Sequence, residues 1–149
     1  MCGAHAAVRG LIGEIVGKSG GDDDRDIIVD MEAGLEHMSR GTGKHLSRFV
    51  ATIEPYYRSM EVASRVASLA TELGIGEVWA VANKVRDQDD RKAISAFCDA
   101  HSLRLVGEIP YDASLIQAER SGVTPVDWSP RGPAVKAIEK LAEILAGAA

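Results

Sequence analysis

The sequence predicts an α/β fold, a mostly parallel sheet with helices on both faces, and three features carry that prediction. Short apolar runs of strand length alternate along the chain with apolar stripes at the three- and four-residue spacing of an α-helix. The runs are apolar throughout, as in Ile27-Ile28-Val29 and Val78-Trp79-Ala80-Val81, which is how strands buried on both faces read. Glycine, proline and aspartate punctuate the joints.

Val8, Leu11, Ile12 and Ile15 share one helical face, with Gly17 placed to cap its end, so the chain is expected to open on a helix. The polar turn Ser19 to Asp24 leads into a strand at Ile27 to Val29, and a second strand at Phe49 to Ile53 ends at Glu54-Pro55. Both read as buried parallel strands. Val62, Ala63, Val66, Leu69, Ala70 and Leu73 form the next helical stripe, which Gly74 closes before the strand Val78 to Val81. Ile94, Phe97 and Cys98 mark another helix. A strand from Leu103 to Ile109 then runs into Pro110-Tyr111-Asp112, followed by a short helix near Leu115 and a proline-rich loop. Pro133 opens a last amphipathic helix through Val135, Ile138, Leu141 and Leu145.

At 149 residues, with 46% hydrophobic and 26% charged content, the chain has the size and composition of one globular domain. A net charge of −5 argues against a broad nucleic-acid surface, and no apolar run approaches the roughly 20 residues that span a bilayer. Met1-Cys2-Gly3-Ala4-His5 does not resemble a signal peptide, so the expected compartment is the cytoplasm. Two cysteines far apart, Cys2 and Cys98, make no disulfide framework. Cys98, on an apolar helical face, reads as core.

Ligands in parallel sheets bind outside the carboxyl ends of the strands, which directs attention to Asp30, Glu54, Asn83 and Pro110. Asp30 can hold Mg²⁺ through water, and Gly34, four residues on, lets the backbone approach a phosphate. Equally, such an aspartate can simply cap the following turn. Asn83 carries a donor and an acceptor on one amide, the complement of an adenine edge, and Lys84 has an apolar stem that can lie against a ring. An Asn-Lys pair also suits an ordinary solvated turn; its position at a strand end favours the ligand reading.

Together these segments resemble the MinD/ParA-type ATPases, and within them the CooC-type accessory ATPases that help load nickel into carbon monoxide dehydrogenase. The resemblance rests on Asp30-Met31-Glu32-Ala33-Gly34-Leu35-Glu36-His37 with Arg40-Gly41-Thr42, on Asn83-Lys84, on Ile109-Pro110-Tyr111-Asp112, and on Leu115 to Gly122. It implies an ATP/ADP site with Mg²⁺, in which Asp30 is the Walker-B-like acid and Gly34 senses the γ-phosphate. Asn83 would read adenine, with Lys84 beside it and the Ile109-Pro110-Tyr111 segment against the same base. It further implies a homodimer and a nickel enzyme, such as carbon monoxide dehydrogenase, as a partner.

Cys2-Gly3-Ala4-His5 looks like the end of the family's Cys-x-Cys metal motif. Two copies of Cys2 in a dimer would share a soft metal, Ni²⁺ or Zn²⁺, although a single thiol near a terminus is also an ordinary exposed cysteine. Members of the family begin with a strand and a glycine-rich phosphate loop, and neither precedes Met1, so residues 1–149 are expected to form a single nucleotide-binding domain that is incomplete at its N-terminus. Gly17-Lys18-Ser19 is not a substitute, because the phosphate-loop pattern demands glycine where Ile12 stands. Asp22-Asp23-Asp24 precedes a strand where a phospho-acceptor pocket needs its acids after one. Two functional classes stay open: a nucleotide-dependent metal-loading ATPase, inactive without its phosphate loop, and a non-catalytic interaction or dimerisation module derived from one.

Overall fold

The computed structural model describes residues 28–30, 48–72, 74–75 and 77–147. Cys2, Gly34, the opening helix and the segments 31–47 of the resemblance lie outside the described residues. The elements run β1 (Arg48–Ile53), α1 (Tyr57–Glu72), β2 (Glu77–Val85), α2 (Gln88–Ala100), β3 (Arg104–Pro110), α3 (Ala113–Arg120), α4 (Pro125–Trp128) and α5 (Pro133–Ala146). The strands form a three-stranded sheet in the order β1-β2-β3, and β2 pairs with β3 in parallel. This is the expected α/β architecture. The chain groups into two compact units, Met1–Phe49 with Ser64–Val78, and Val50–Ala63 with Trp79–Ala149.

Among the described residues of the first unit, the Arg48 Nε donates to Glu77 Oε2 at 3.2 Å. Ala70 in α1 is fully buried. The helix ends as its sequence dictates: Gly74 has φ +73°, the Gly74 amide donates to the Thr71 carbonyl at 3.1 Å, and the Ile75 amide reaches back to the Ala70 carbonyl at 2.9 Å. That paired closure needs a left-handed residue, which glycine supplies without a Cβ penalty. Of the strand expected at Ile27 to Val29, the described residues Ile28 and Val29 are not in a strand. Ile28 to Asp30 adopt no regular structure and Ile28 is 88% exposed, so these residues lack the ladder of interstrand bonds that defines a strand and the burial its apolar character suggested.

In the second unit the core is built from Ile53 of β1, Trp79, Ala80, Val81, Ala82 and Val85 of β2, and Ile94 and Cys98 of α2. The continuous burial of Trp79 through Ala82 bears out the reading of β2 as covered on both sides. Burial also pushes the Cys98 thiol above its ordinary pKa, as befits an inert core cysteine. α2 starts at Asp87, whose Oδ1 accepts from the amides of Asp89 and Asp90 at 2.9 Å each. Its Arg91 forks onto Glu108 of β3, Nε to Oε2 at 2.6 Å and Nη2 to Oε1, which fixes the helix against the sheet and holds the Glu108 carboxyl below its usual range. α5 packs on β3 through a close approach at Gly107, where a Cβ would stand 3.2 Å from Leu141 Cδ1.

The sequence places helix boundaries less well than helices. α1 begins at Tyr57, five residues before the first apolar position of its stripe, and β2 runs to Val85, past the apolar run that marks it. The proline-rich loop contains the single turn α4, with Thr124 as its cap and Pro125 at its first position.

Candidate functional site

The carboxyl ends of the three strands bring Glu54, Asn83, Lys84, Pro110 and Tyr111 to one edge of the sheet. What shapes that edge is an irregularity in the β2–β3 register. Ala82 pairs with Glu108 and Val85 with Pro110, so Asn83 and Lys84 together oppose the single residue Ile109. This two-against-one arrangement is a β-bulge, which re-aims side chains at strand ends. Lys84 carries its backbone at φ +57°, in the left-handed region that lysine seldom adopts. Immediately beyond, the Tyr111 amide donates to the Val85 carbonyl at 2.8 Å, which continues the pairing and ties the Pro110-Tyr111 peptide to the end of β2.

Charges and rings complete the edge. Lys84 Nζ lies 2.6 Å from Glu54 Oε1, bridging the ends of β2 and β1, and that hydrogen-bonded carboxylate raises the lysine above its ordinary pKa. Glu54 is anchored in turn, since its amide donates to Ser59 Oγ at 2.9 Å. The Arg86 guanidinium sits 5.0 Å from the centre of the exposed Tyr111 ring. Asn83, next to Lys84 in the chain, is half-buried.

Asp112, next along, closes the far side. Its Oδ1 accepts from the Ser114 amide at 2.9 Å as the cap of α3, and its Oδ2 accepts from the Ala134 amide at 3.4 Å in the first turn of α5. The Ser114 side chain, the Ser114 amide and the Ala134 amide hold the Asp112 carboxyl below the usual range. Gly132, the N-cap of α5, has no side chain of its own to supply that bond. Asp112 therefore caps two helices at once.

Sequence reasoning singled out Asn83, Lys84, Ile109, Pro110 and Tyr111; the register puts Asn83 and Lys84 opposite Ile109 and pairs Val85 with Pro110, and the Tyr111 amide bonds the Val85 carbonyl. Asp30 is exposed in the first unit, while Gly34 and Cys2 fall outside the described residues. The Glu54–Lys84 pair, Arg86 and the second bond of Asp112 were not anticipated. Asp112 before Ala113-Ser114 carries a readable capping signal, whereas its partner Ala134 lies 22 residues away and leaves no local trace. Among the described residues no group of three or more His, Cys, Asp or Glu side chains is placed to hold a metal ion. None of the described helices is long and apolar enough to cross a membrane.

The carbon monoxide dehydrogenase accessory protein CooC of Rhodospirillum rubrum is 35% identical over 130 residues, which is 87% of this chain and 47% of that protein. An uncharacterised ATP-binding protein of Methanocaldococcus jannaschii is 33% identical over 141 residues, 95% of this chain and 52% of its own length. The chain thus spans about half the length of the curated relatives it matches. Among solved structures, the cell division ATPase MinD of Pyrococcus furiosus superposes with a TM-score of 0.73 at 20% identity, covering 95% of this chain and 59% of that one. MinD of Aquifex aeolicus gives 0.71 at 19% identity over 93% and 61%. No protein-family model matches the chain.

Proposed function

We propose, from the premise that this chain belongs with the CooC-type, MinD/ParA-like proteins, that it carries the base-recognition part of an ATP site in an accessory ATPase. The observation that supports this reading best is the bulge at Asn83-Lys84, which puts these two residues opposite Ile109 at the carboxyl end of β2 in a parallel pair. An amide can donate to and accept from one base edge at the same time, and the Tyr111 ring with Arg86 over it offers a flat face at the same place. Asn83 would read the base, with the peptide of Ile109 and Pro110 alongside it. This donor set fits adenine.

Asp30 and Gly34 would serve the phosphate end, Asp30 orienting water around Mg²⁺ and Gly34 offering its amide. The ion, when bound, neutralises charge on the transferring phosphoryl group. The same reading makes the protein a cytoplasmic homodimer and a metallochaperone for nickel insertion, with carbon monoxide dehydrogenase as its target and Cys2 as a ligand for Ni²⁺ or Zn²⁺ shared between two copies. Residues 1–149 would be part of a single nucleotide-binding domain.

Equilibrium titration with ATP and GTP tests the base assignment. Asn83→Ala in the full-length gene product should weaken ATP by about fivefold to thirtyfold and lower its preference over GTP, as expected for the loss of one or two hydrogen bonds. Asp30→Asn should leave binding largely intact and slow hydrolysis. If Asn83→Ala changes neither affinity nor preference, the base assignment is wrong and the interaction-module reading gains.

A further inference from the structure

Two non-glycine residues among the described ones have positive φ, Lys84 and Ser102. Ser102 is accounted for by the end of α2, where the Leu103 amide reaches the Cys98 carbonyl at 2.9 Å and requires a left-handed residue between them. Lys84 has no such helix to close. It sits inside a strand, where a left-handed lysine is strained and persists only if its surroundings hold it there. Those surroundings are visible on both sides: the Glu54 carboxylate at 2.6 Å from Lys84 Nζ, and the Tyr111 amide on the Val85 carbonyl at 2.8 Å.

The bulge is therefore fastened at Lys84 and again at Val85, and Asn83 lies between Lys84 and the Ala82–Glu108 pair. We propose that Glu54 and Lys84 are positioning residues for the base-reading amide: their ion pair clamps the bulge, and Lys84 acts through its backbone without touching the base. The proposal rests on the base-recognition reading above. It departs from the reading of Lys84 as an apolar stem that lies against a ring, because the ammonium is committed to Glu54 on the neighbouring strand. Magnitude decides what such a clamp can do. The Lys84 side chain is 53% exposed and that of Glu54 27%, so solvent screens the pair and limits it to about fivefold in a local equilibrium. That is too little to govern folding, and enough to tip one strained residue between two backbone states.

The test measures ATP and GTP dissociation constants for the full-length gene product carrying Glu54→Gln, Lys84→Ala, Lys84→Gly or Asn83→Ala. The ratio of the two constants cancels the phosphate contribution and isolates the base. Glycine adopts φ +57° freely, so Lys84→Gly should keep the preference for ATP within about twofold, while Lys84→Ala and Glu54→Gln should each lower it by about threefold to fivefold. Raising salt should erode the ratio in the parent protein and leave it unchanged in Lys84→Gly, a comparison that needs no destabilised variant. Equal losses in Lys84→Gly and Lys84→Ala would mean that the side chain contacts the base, and would overturn the clamp. An unchanged ratio in Glu54→Gln alongside a lost one in Asn83→Ala would sink the clamp and spare the base assignment; an unchanged ratio in Asn83→Ala would sink the base assignment itself.

Discussion

Replacing Asp112 by alanine removes the caps of two helices with one substitution. The bond from Oδ1 to the Ser114 amide, at 2.9 Å, is an ordinary N-cap, and its loss costs about 1 kcal/mol. The bond from Oδ2 to the Ala134 amide is long at 3.4 Å, so it adds less, about 0.5 kcal/mol, even with a charged acceptor. The sum of about 1.5 kcal/mol corresponds to a fall in Tm of roughly 3 to 6 °C for a domain of this size. The carboxyl is held below its ordinary value of 3.8, so its stabilisation is fully present above that value and is lost as pH falls through the lower value of the folded protein. The gap between parent and Asp112→Ala should therefore be full at pH 7 and narrow below about pH 4. Asp112→Asn keeps one acceptor and should fall between the two at pH 7, with little change in acid. Thermal melts followed by circular dichroism across pH 3 to 8 measure all three curves. A gap under about 0.3 kcal/mol at pH 7, or one that stays constant into acid, would refute the double cap.

Two further substitutions probe the same principles at other joints. Gly132→Ala should destabilise by about 1 to 2 kcal/mol, because the added Cβ would meet the Ser129 carbonyl oxygen at 3.1 Å, the Ser129 Oγ at 3.0 Å and the Asp112 Oδ2 at 3.2 Å; a neutral effect in denaturant titration would mean the α5 start is looser than it looks. Ser102→Gly should stabilise by about 0.5 kcal/mol, since it relieves a left-handed serine at φ +54° in an exposed position; a lower Tm would show that unfolded-chain entropy outweighs the relieved strain.

What the sequence showed, it showed through local physics. Gly74 was readable as a helix terminator because only a residue free of Cβ strain suits the left-handed closure, and the two backbone bonds around it are those such a closure makes. The uninterrupted apolar run Val78 to Val81 announced a strand covered on both faces, and Trp79 to Ala82 are buried accordingly. Ile27 to Val29 carries the same signal, yet Ile28 and Val29 are not in a strand, because a run of apolar residues states a preference that only pairing can satisfy. The bulge at Asn83-Lys84 was invisible for a related reason. It exists only as a mismatch between two registers, and neither strand encodes it alone. Glu54 was noticed as a strand end, but its partner Lys84 lies 30 residues on, with no pattern linking them.

The same edge of the sheet thus contains two kinds of fastening, and they should separate experimentally. Asp112 bonds backbone amides at the starts of two helices, so its loss exposes unsatisfied donors and registers first as stability. Any change it brings to the neighbouring Tyr111 comes second. Glu54 bonds a side chain that is half in solvent, so breaking that pair leaves each charge hydrated and costs the fold little. Its effect, on the proposed reading, falls on the backbone state of Lys84 and through it on Asn83. Asp112→Ala should then lower Tm with a small change in the ATP-to-GTP ratio, and Glu54→Gln should do the reverse. Parallel changes in both quantities for both variants would mean that the edge behaves as one cooperative unit, and that base preference merely reports how well the whole edge is folded.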